Sequence, residues 1–237
     1  MSYTFTTWFQ AVASEAVTLV TDADLIGIQS SIIDYAEQRC YRELDLLDTV
    51  VRDNSATLTA NSRDFTLPQS LGRFVVVNGV NIISPVGTTV GNGTRNAAML
   101  TSLPYADYTW PSNTPPVRPS IPQWWAMVTD QTAVLVPPPD AAYSIEVVGT
   151  IRPTPLSSGN PTTFLTLYLP DLFFAASMVF VSGWQKNFGS QSDDPRMAVS
   201  WETQFSTLLT SANREEVRKK YAASVGPAGP PASMKAA

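Results

Sequence analysis

The side chains that could do chemistry in this chain are carboxylates, one thiol and a few glycines. Two acidic pairs stand close in sequence, Asp22 with Asp24 and Asp193 with Asp194. A convergent pair of carboxylates is the minimum equipment for acid–base hydrolysis. Both pairs, though, sit where helices should begin, and there a carboxylate accepts backbone N–H groups and meets the positive end of the helix dipole. Capping is the simpler use. The chain has 237 residues and no histidine. That removes Ser-His-Asp triads, Cys-His pairs, histidine metal sites and the usual proton shuttle. Cys40 is the single cysteine, so no internal disulfide or cysteine zinc cluster can form. It falls on an apolar helical face, as a small buried residue would. Gly87, Gly91 and Gly93 lie in a loop with no helix behind it, so they make no phosphate cradle. Neither a G-x-x-x-x-G-K-[ST] loop nor a G-x-S-x-G elbow is present. The expectation is a structural or binding protein, not an enzyme, with no cofactor and no metal.

Composition narrows the class further. A net charge of −5 argues against a basic nucleic-acid-binding surface. Apolar residues make up 44% of the chain, enough for a sizeable core, while 19 prolines and only 15% charged residues point to many turns. The N-terminal residues show no basic stretch followed by an apolar core, so synthesis in a cytoplasm is expected, with no membrane association.

The element to which everything else attaches is Leu169 to Tyr221. Leu-Pro-Asp opens it, with Pro170 suited to a first helical position and Asp171 to the helix dipole. Leu172 to Val181 is apolar on almost every side, so this helix must be buried all round, yet the run is too short to cross a bilayer. Gly189 is a plausible stop, and Asp194-Pro195 a plausible cap and first turn. Met197, Trp201, Phe205, Leu208, Leu209 and Ala212 then recur at spacings of three and four, one face of a second helix. The two should form a helical hairpin, residues 153–221 with its approach.

At the other end, Thr7 could cap a short helix through Ala16, and Thr21-Asp22 a longer one carrying Leu25, Ile28, Ile32, Ala36, Cys40 and Leu44 on one face. Its opposite face is acidic, with Asp34, Glu37, Glu43 and Asp45 among seven acidic residues against Arg39 and Arg42. A solvated face explains this; so does a surface that repels a polyanion or meets a basic partner. From Thr49 the period changes from 3.6 to 2. A hairpin is expected around Asp53-Asn54-Ser55, with strands over 63–67 and 74–83, the latter interrupted by a tight turn at Asn78-Gly79. Residues 87–120 read as a long irregular loop bearing Tyr105, Tyr108 and Trp110, which could bind a partner or anchor the loop. Strands over 123–129, 132–136 and 143–151 follow, the last two joined by a turn at Pro137-Pro138-Pro139-Asp140. The fold class expected is α+β: N-terminal helices (1–48) and the C-terminal hairpin in one bundle, an inserted antiparallel β domain (49–152), and an extended tail (222–237). The tail is Gly-, Pro- and Ala-rich and should not fold by itself.

Two blocks carry a family resemblance. One is Pro122-Gln123-Trp124-Trp125-Ala126, then Ala133 through Pro137-Pro138-Pro139-Asp140 to Tyr143-Ser144-Ile145-Glu146, and Arg152-Pro153-Thr154-Pro155-Leu156-Ser157. The other is Thr163-Phe164-Leu165 and Leu167-Tyr168-Leu169-Pro170-Asp171-Leu172, leading into the hairpin with Trp201 and Phe205. Together they resemble the head-to-tail adaptor (head-completion, or neck) proteins of tailed bacteriophages, over roughly 121–221 and in the order of helix, β insertion and helix.

The resemblance implies a virion protein at the capsid–tail junction, made in the host bacterial cytoplasm. It implies a homo-oligomeric ring, typically dodecameric, docked under the portal protein, continuing the DNA channel without gripping the DNA, and offering a platform to tail proteins. Portal contact would then fall on Arg214, Arg218, Lys219, Lys220, Tyr221, Val225 and the tail through Met234. Asp34, Glu37, Glu43 and Asp45 would form a channel- or partner-facing acidic surface, and Tyr105, Tyr108 and Trp110 a loop for the tail partner. The alternative is a tail or receptor-binding module that recognises its target through the β domain and this aromatic loop.

Overall fold

A computed structural model describes residues 2–112, 118–185 and 195–224. The protein is mixed α+β, with six α-helices and one curled seven-stranded sheet among the described residues. It divides into two compact units, one of Met1–Asp48 with Pro155–Ala237 and one of Thr49–Thr154.

In the first unit, α1 (Phe5–Glu15), α2 (Ala23–Glu43), α4 (Phe164–Tyr168), α5 (Pro170–Gln185) and α6 (Pro195–Ser224) share one hydrophobic core. Helix α5 is the hub: Leu172, Phe173, Ala175, Ala176, Ser177, Met178 and Val181 are buried, and α1, α2, α4 and α6 all pack against it. Each large side chain buried this way contributes about 1.5–3 kcal/mol. The hub also serves its neighbours' polar groups. The Trp8 indole N–H donates to Ser177 Oγ at 3.1 Å, and that hydroxyl donates to the Phe173 carbonyl at 2.8 Å.

Capping set the helix starts. Thr4, not Thr7, is the α1 cap, because Thr4 and Thr7 form a reciprocal box in which Thr7 is the third helical residue. Asp22 Oδ1 accepts the N–H groups of Asp24 and Leu25 at 3.0 and 2.9 Å, so it caps α2 as expected. Helix α4 was not expected. A second capping box, Thr163 with Thr166, folds the five residues before Leu169. Gly189, Asp193 and Asp194 lie outside the described residues.

In the second unit, β1 (Val50–Asp53), β2 (Asp64–Thr66), β3 (Arg73–Ser84), β4 (Thr94–Leu100), β5 (Trp124–Thr129), β6 (Thr132–Val136) and β7 (Ser144–Arg152) run in the order β1-β7-β3-β4-β5-β6-β2. The sheet curls on itself, so that Phe65, Phe74, Val80, Ile82, Trp125, Leu135 and Ile145, from five of its strands, meet in one cluster. Helix α3 (Leu103–Thr109) packs on the outer side of β5 and β6, where Ala106, Ala126, Val134 and Val136 are buried.

Four expectations for this unit need correction. The 49–59 hairpin does not form: β1 pairs with β7, Thr57 makes only an isolated bridge to Ser144, and Asp53 accepts from Ser55 and Ser70. Asn78-Gly79 is no turn. Strand β3 runs through it, with register shifts at 74–76 and 77–79 that mark bulges. Opposite, a Cβ on Gly149 would fall 2.2 Å from the Val76 carbonyl oxygen, so the bulged strand approaches a residue without a side chain. The 87–120 stretch contains β4 and α3. Ser102 caps α3 and Pro104 sits in its first turn, signals that a local reading for irregular structure passed over. Finally, the sheet is not wholly antiparallel: β4 and β5 pair in parallel at Met99–Trp124 and Leu100–Trp125, and β6 and β7 are not neighbours.

Candidate interaction surfaces

Helix α6 carries the cationic group expected at the C-terminal end, and its geometry divides that group in two. The inner face runs Phe205, Ala212 and then Glu216, all buried. Glu216 Oε2 accepts the Leu47 backbone N–H at 2.9 Å, and its Oε1 accepts from Lys219 Nζ at 2.8 Å. Lys219 also pairs with Glu215 at 2.7 Å; these two carboxylates raise its pKa, and Lys219 in turn lowers that of Glu215. Lys220 pairs with Asp45. Lys219 and Lys220 are therefore spent inside the helical unit. Arg214 and Arg218 point outward, and with Val217 and Tyr221 they follow the spacing of a single helix face. Val217 is 59% and Tyr221 69% exposed, so the face is both cationic and apolar. Val217 was missed in the sequence because it breaks no rule and stands among charged neighbours. Val225 and Met234 lie outside the described residues.

The acidic surface is less acidic than its sequence. Asp34 is exposed. Glu37 is not part of that surface: it is buried, and its Oε1 accepts the Leu156 backbone N–H at 2.9 Å. Residue 37 falls between Ile33 and Cys40 on the inner side of α2, and the carboxylate is kept there by the backbone donor it satisfies. Glu43 pairs with Arg39 at 3.0 Å, and Asp45 with Lys220. Arg39 also reaches Glu202 through two hydrogen bonds and lies 4.1 Å over the Phe205 ring. The Glu202 carboxylate holds the Arg39 pKa up against burial, and Arg39 holds that of Glu202 down.

The three aromatics of the expected loop sit on or beside α3. Trp110 packs on Trp124 with the rings tilted by 34° and their centroids 5.0 Å apart, and it meets the Tyr105 ring edge-on at 6.4 Å. Arg63 fastens the helix end, donating to the Trp110 carbonyl at 2.6 Å and to Asp107 at 2.5 Å. Trp110 is thus an anchor. Tyr108, 87% exposed, projects into solvent.

A fourth surface was not anticipated. Strand β4 pairs with β3 only along Val80–Ser84 and with β5 only at Trp124 and Trp125. Beyond Leu100 the chain turns into α3, and a slot of about 460 Å³ opens between the start of β3 and the end of β5. Only the pairing register reveals it.

The resembling motifs prove to be architectural. In the Pro137-Pro138-Pro139-Asp140 turn, the Pro138 and Pro139 carbonyls accept from the Ser120 and Asn61 N–H groups at 2.9 and 2.7 Å. Asp140 accepts from the buried Tyr143 hydroxyl at 2.9 Å, and burial, with that carboxylate, raises the tyrosine pKa. In Arg-Pro-x-x-Leu-Ser, Leu156 is the residue pinned by Glu37. A family model described as SU10 adaptor protein matches residues 4–230, through both units. The chain belongs to that family. This is consistent with a phage head-to-tail adaptor. No curated protein matches this adaptor. Among its described residues no cluster of three His, Cys, Asp or Glu is placed to hold a metal ion, and no helix is long and apolar enough to cross a membrane.

Proposed function

We propose that this adaptor forms a ring docked under the portal protein, continues the DNA channel and presents a platform to tail proteins, with no catalytic step of its own. The family match over 4–230 carries the reading. Its supporting arrangement is a helical bundle with an inserted β domain. The bundle docks on the portal through the outer face of α6, where Arg214, Val217, Arg218 and Tyr221 combine charge with apolar area, as interface cores do. The Gly-, Pro- and Ala-rich segment after Ser224 extends this contact. Cations directed at the channel would bind phosphate; Asp34, Glu43 and Asp45 instead present carboxylates, two of them in pairs.

Chains ending at Ser224, which retain all of α6, test this reading when mixed with DNA-filled, portal-bearing capsids. Loss of binding by the shortened chain, with its helix content intact, makes the tail a clamp on the portal. Arg214→Glu with Arg218→Glu should weaken docking about tenfold or more, since rim charges steer association and hot-spot arginines hold it. Lys219 and Lys220 are poor choices for this purpose, because reversing them breaks intramolecular pairs. A second reading, a receptor-binding module, draws on the exposure of Tyr108. Adsorption lost on Tyr108→Ala, with capsid docking preserved, would favour it.

A further inference from the structure

The turn between α1 and α2 is built against its own sequence. The Val17 N–H donates to the Ser14 carbonyl at 3.2 Å and the Thr18 N–H to the Ala13 carbonyl at 2.9 Å, the two bonds of a Schellman cap. The residue between them must take a left-handed backbone, and glycine is the usual occupant. Here it is a β-branched valine at φ 53°, a conformation such residues rarely adopt. Its side chain gains nothing from the fold in return, being 93% exposed. Leu19 beside it is 75% exposed, and Val20 and, at the start of α2, Ile26 are also open to solvent. From Ala16 to Thr21 there is no charged residue. Strain held at an exposed apolar tip indicates that the side chain acts on another molecule.

The slot in the sheet is the complementary feature. Val75, Val76, Leu100 and Val128 line it and are each about half exposed or more. It is short, because Arg73 pairs with Asp130 at 3.7 Å and Gln131 Nε2 donates to the Phe74 carbonyl at 3.0 Å beside it. A recess bounded at one end in this way takes a compact aliphatic tip better than a long strand. Knob and slot are different surfaces of the same chain, so every copy offers one of each. Such a contact is head-to-tail, and repeated head-to-tail contacts close into rings when the rotation allows.

We propose that Val17, Leu19 and Val20 of one copy seat in the β3–β5 slot of the next copy. This rests on the ring reading and assigns the surfaces that would build the ring.

The test uses full-length chains bound to portal-bearing capsids and a short bis-maleimide cross-linker. Cys40 is buried, and burial pushes its thiol up to about 12, so it stays silent. Leu19→Cys with Val76→Cys in one chain should give a ladder of covalent multimers, and either substitution alone only monomers. Bound chains that give no ladder overturn the proposal and leave the ring reading standing. Failure of the unmodified chain to bind capsids overturns both. Val17→Gly supplies an independent check: it should raise the Tm of the isolated chain, by relieving strain, while thinning the ladder. A lower Tm, or an unchanged ladder, would count against the knob.

Discussion

The two units bury carboxylates in different ways. In the helical unit, Glu37 and Glu216 each accept a backbone N–H from a distant segment, Leu156 and Leu47, which lie just after and just before the β unit in the chain. In the β unit, Glu146 accepts from Arg95 at 3.1 Å and Asn81 at 2.9 Å and pairs with Arg52 at 3.5 Å, while Asp53 accepts from the hydroxyls of Ser55 and Ser70. The helical carboxylates are pins that fix crossing points. In the sheet, Glu146 joins side chains across β1, β7, β3 and β4, while Asp53 gathers the Ser55 N–H together with its two serine hydroxyls. A pin answers a backbone donor that would otherwise be buried unpaired; a side-chain network depends on the charge of its centre.

The largest effect should come from the hub. Phe173→Ala removes a fully buried ring from α5 and should cost about 3–5 kcal/mol. Thermal melts followed by far-ultraviolet circular dichroism would show it as loss of the helical transition. Next is Gly149→Ala, which drives a methyl into the Val76 carbonyl and should cost the β unit about 1–3 kcal/mol in urea unfolding. Glu37→Ala should cost the helical unit about 1–3 kcal/mol by orphaning the Leu156 N–H. Amide exchange at Leu156 would report it directly.

Acid should distinguish the units most finely. Burial alone would raise the Glu146 pKa, but Arg95, Asn81 and Arg52 outweigh it and hold it below its ordinary 4.5. Burial likewise opposes the hydrogen bonds from Ser55, Ser70 and Leu71 that hold Asp53 below 3.8. Groups depressed in the folded state add stability above their unfolded values and lose it as pH falls through their folded ones. The β unit should therefore weaken as pH drops below 4.5, and Glu146→Gln should flatten that decline while lowering stability at neutral pH. A pH titration of β-unit unfolding for both chains would check the sign.

The helical unit was the more legible in sequence. Apolar residues at three- and four-residue spacing mark α2 and α6, and the unbroken apolar run marks α5 as buried all round. What escaped there was polar: a carboxylate at position 37 looks solvated until the Leu156 N–H is seen beside it. The β unit hid more, because strand partners are set by long-range register. Thr49 to Thr59 has the local pattern of a hairpin, yet β7 supplies the partner for β1. Asn78-Gly79 reads as a turn, but opposite Gly149 it becomes a bulge. Among the interaction residues, Arg214, Arg218 and Tyr221 lie on an outer face, whereas Lys219, Lys220 and Glu37 were claimed by internal partners that spacing alone does not show.

The most direct measurement is electron microscopy of portal-bearing, tailless capsids after addition of the full-length chain. Density added only at the portal vertex, as a closed ring coaxial with the channel, is the outcome expected. Capsids that gain no density there, or gain it across the shell, would remove the adaptor role from this chain.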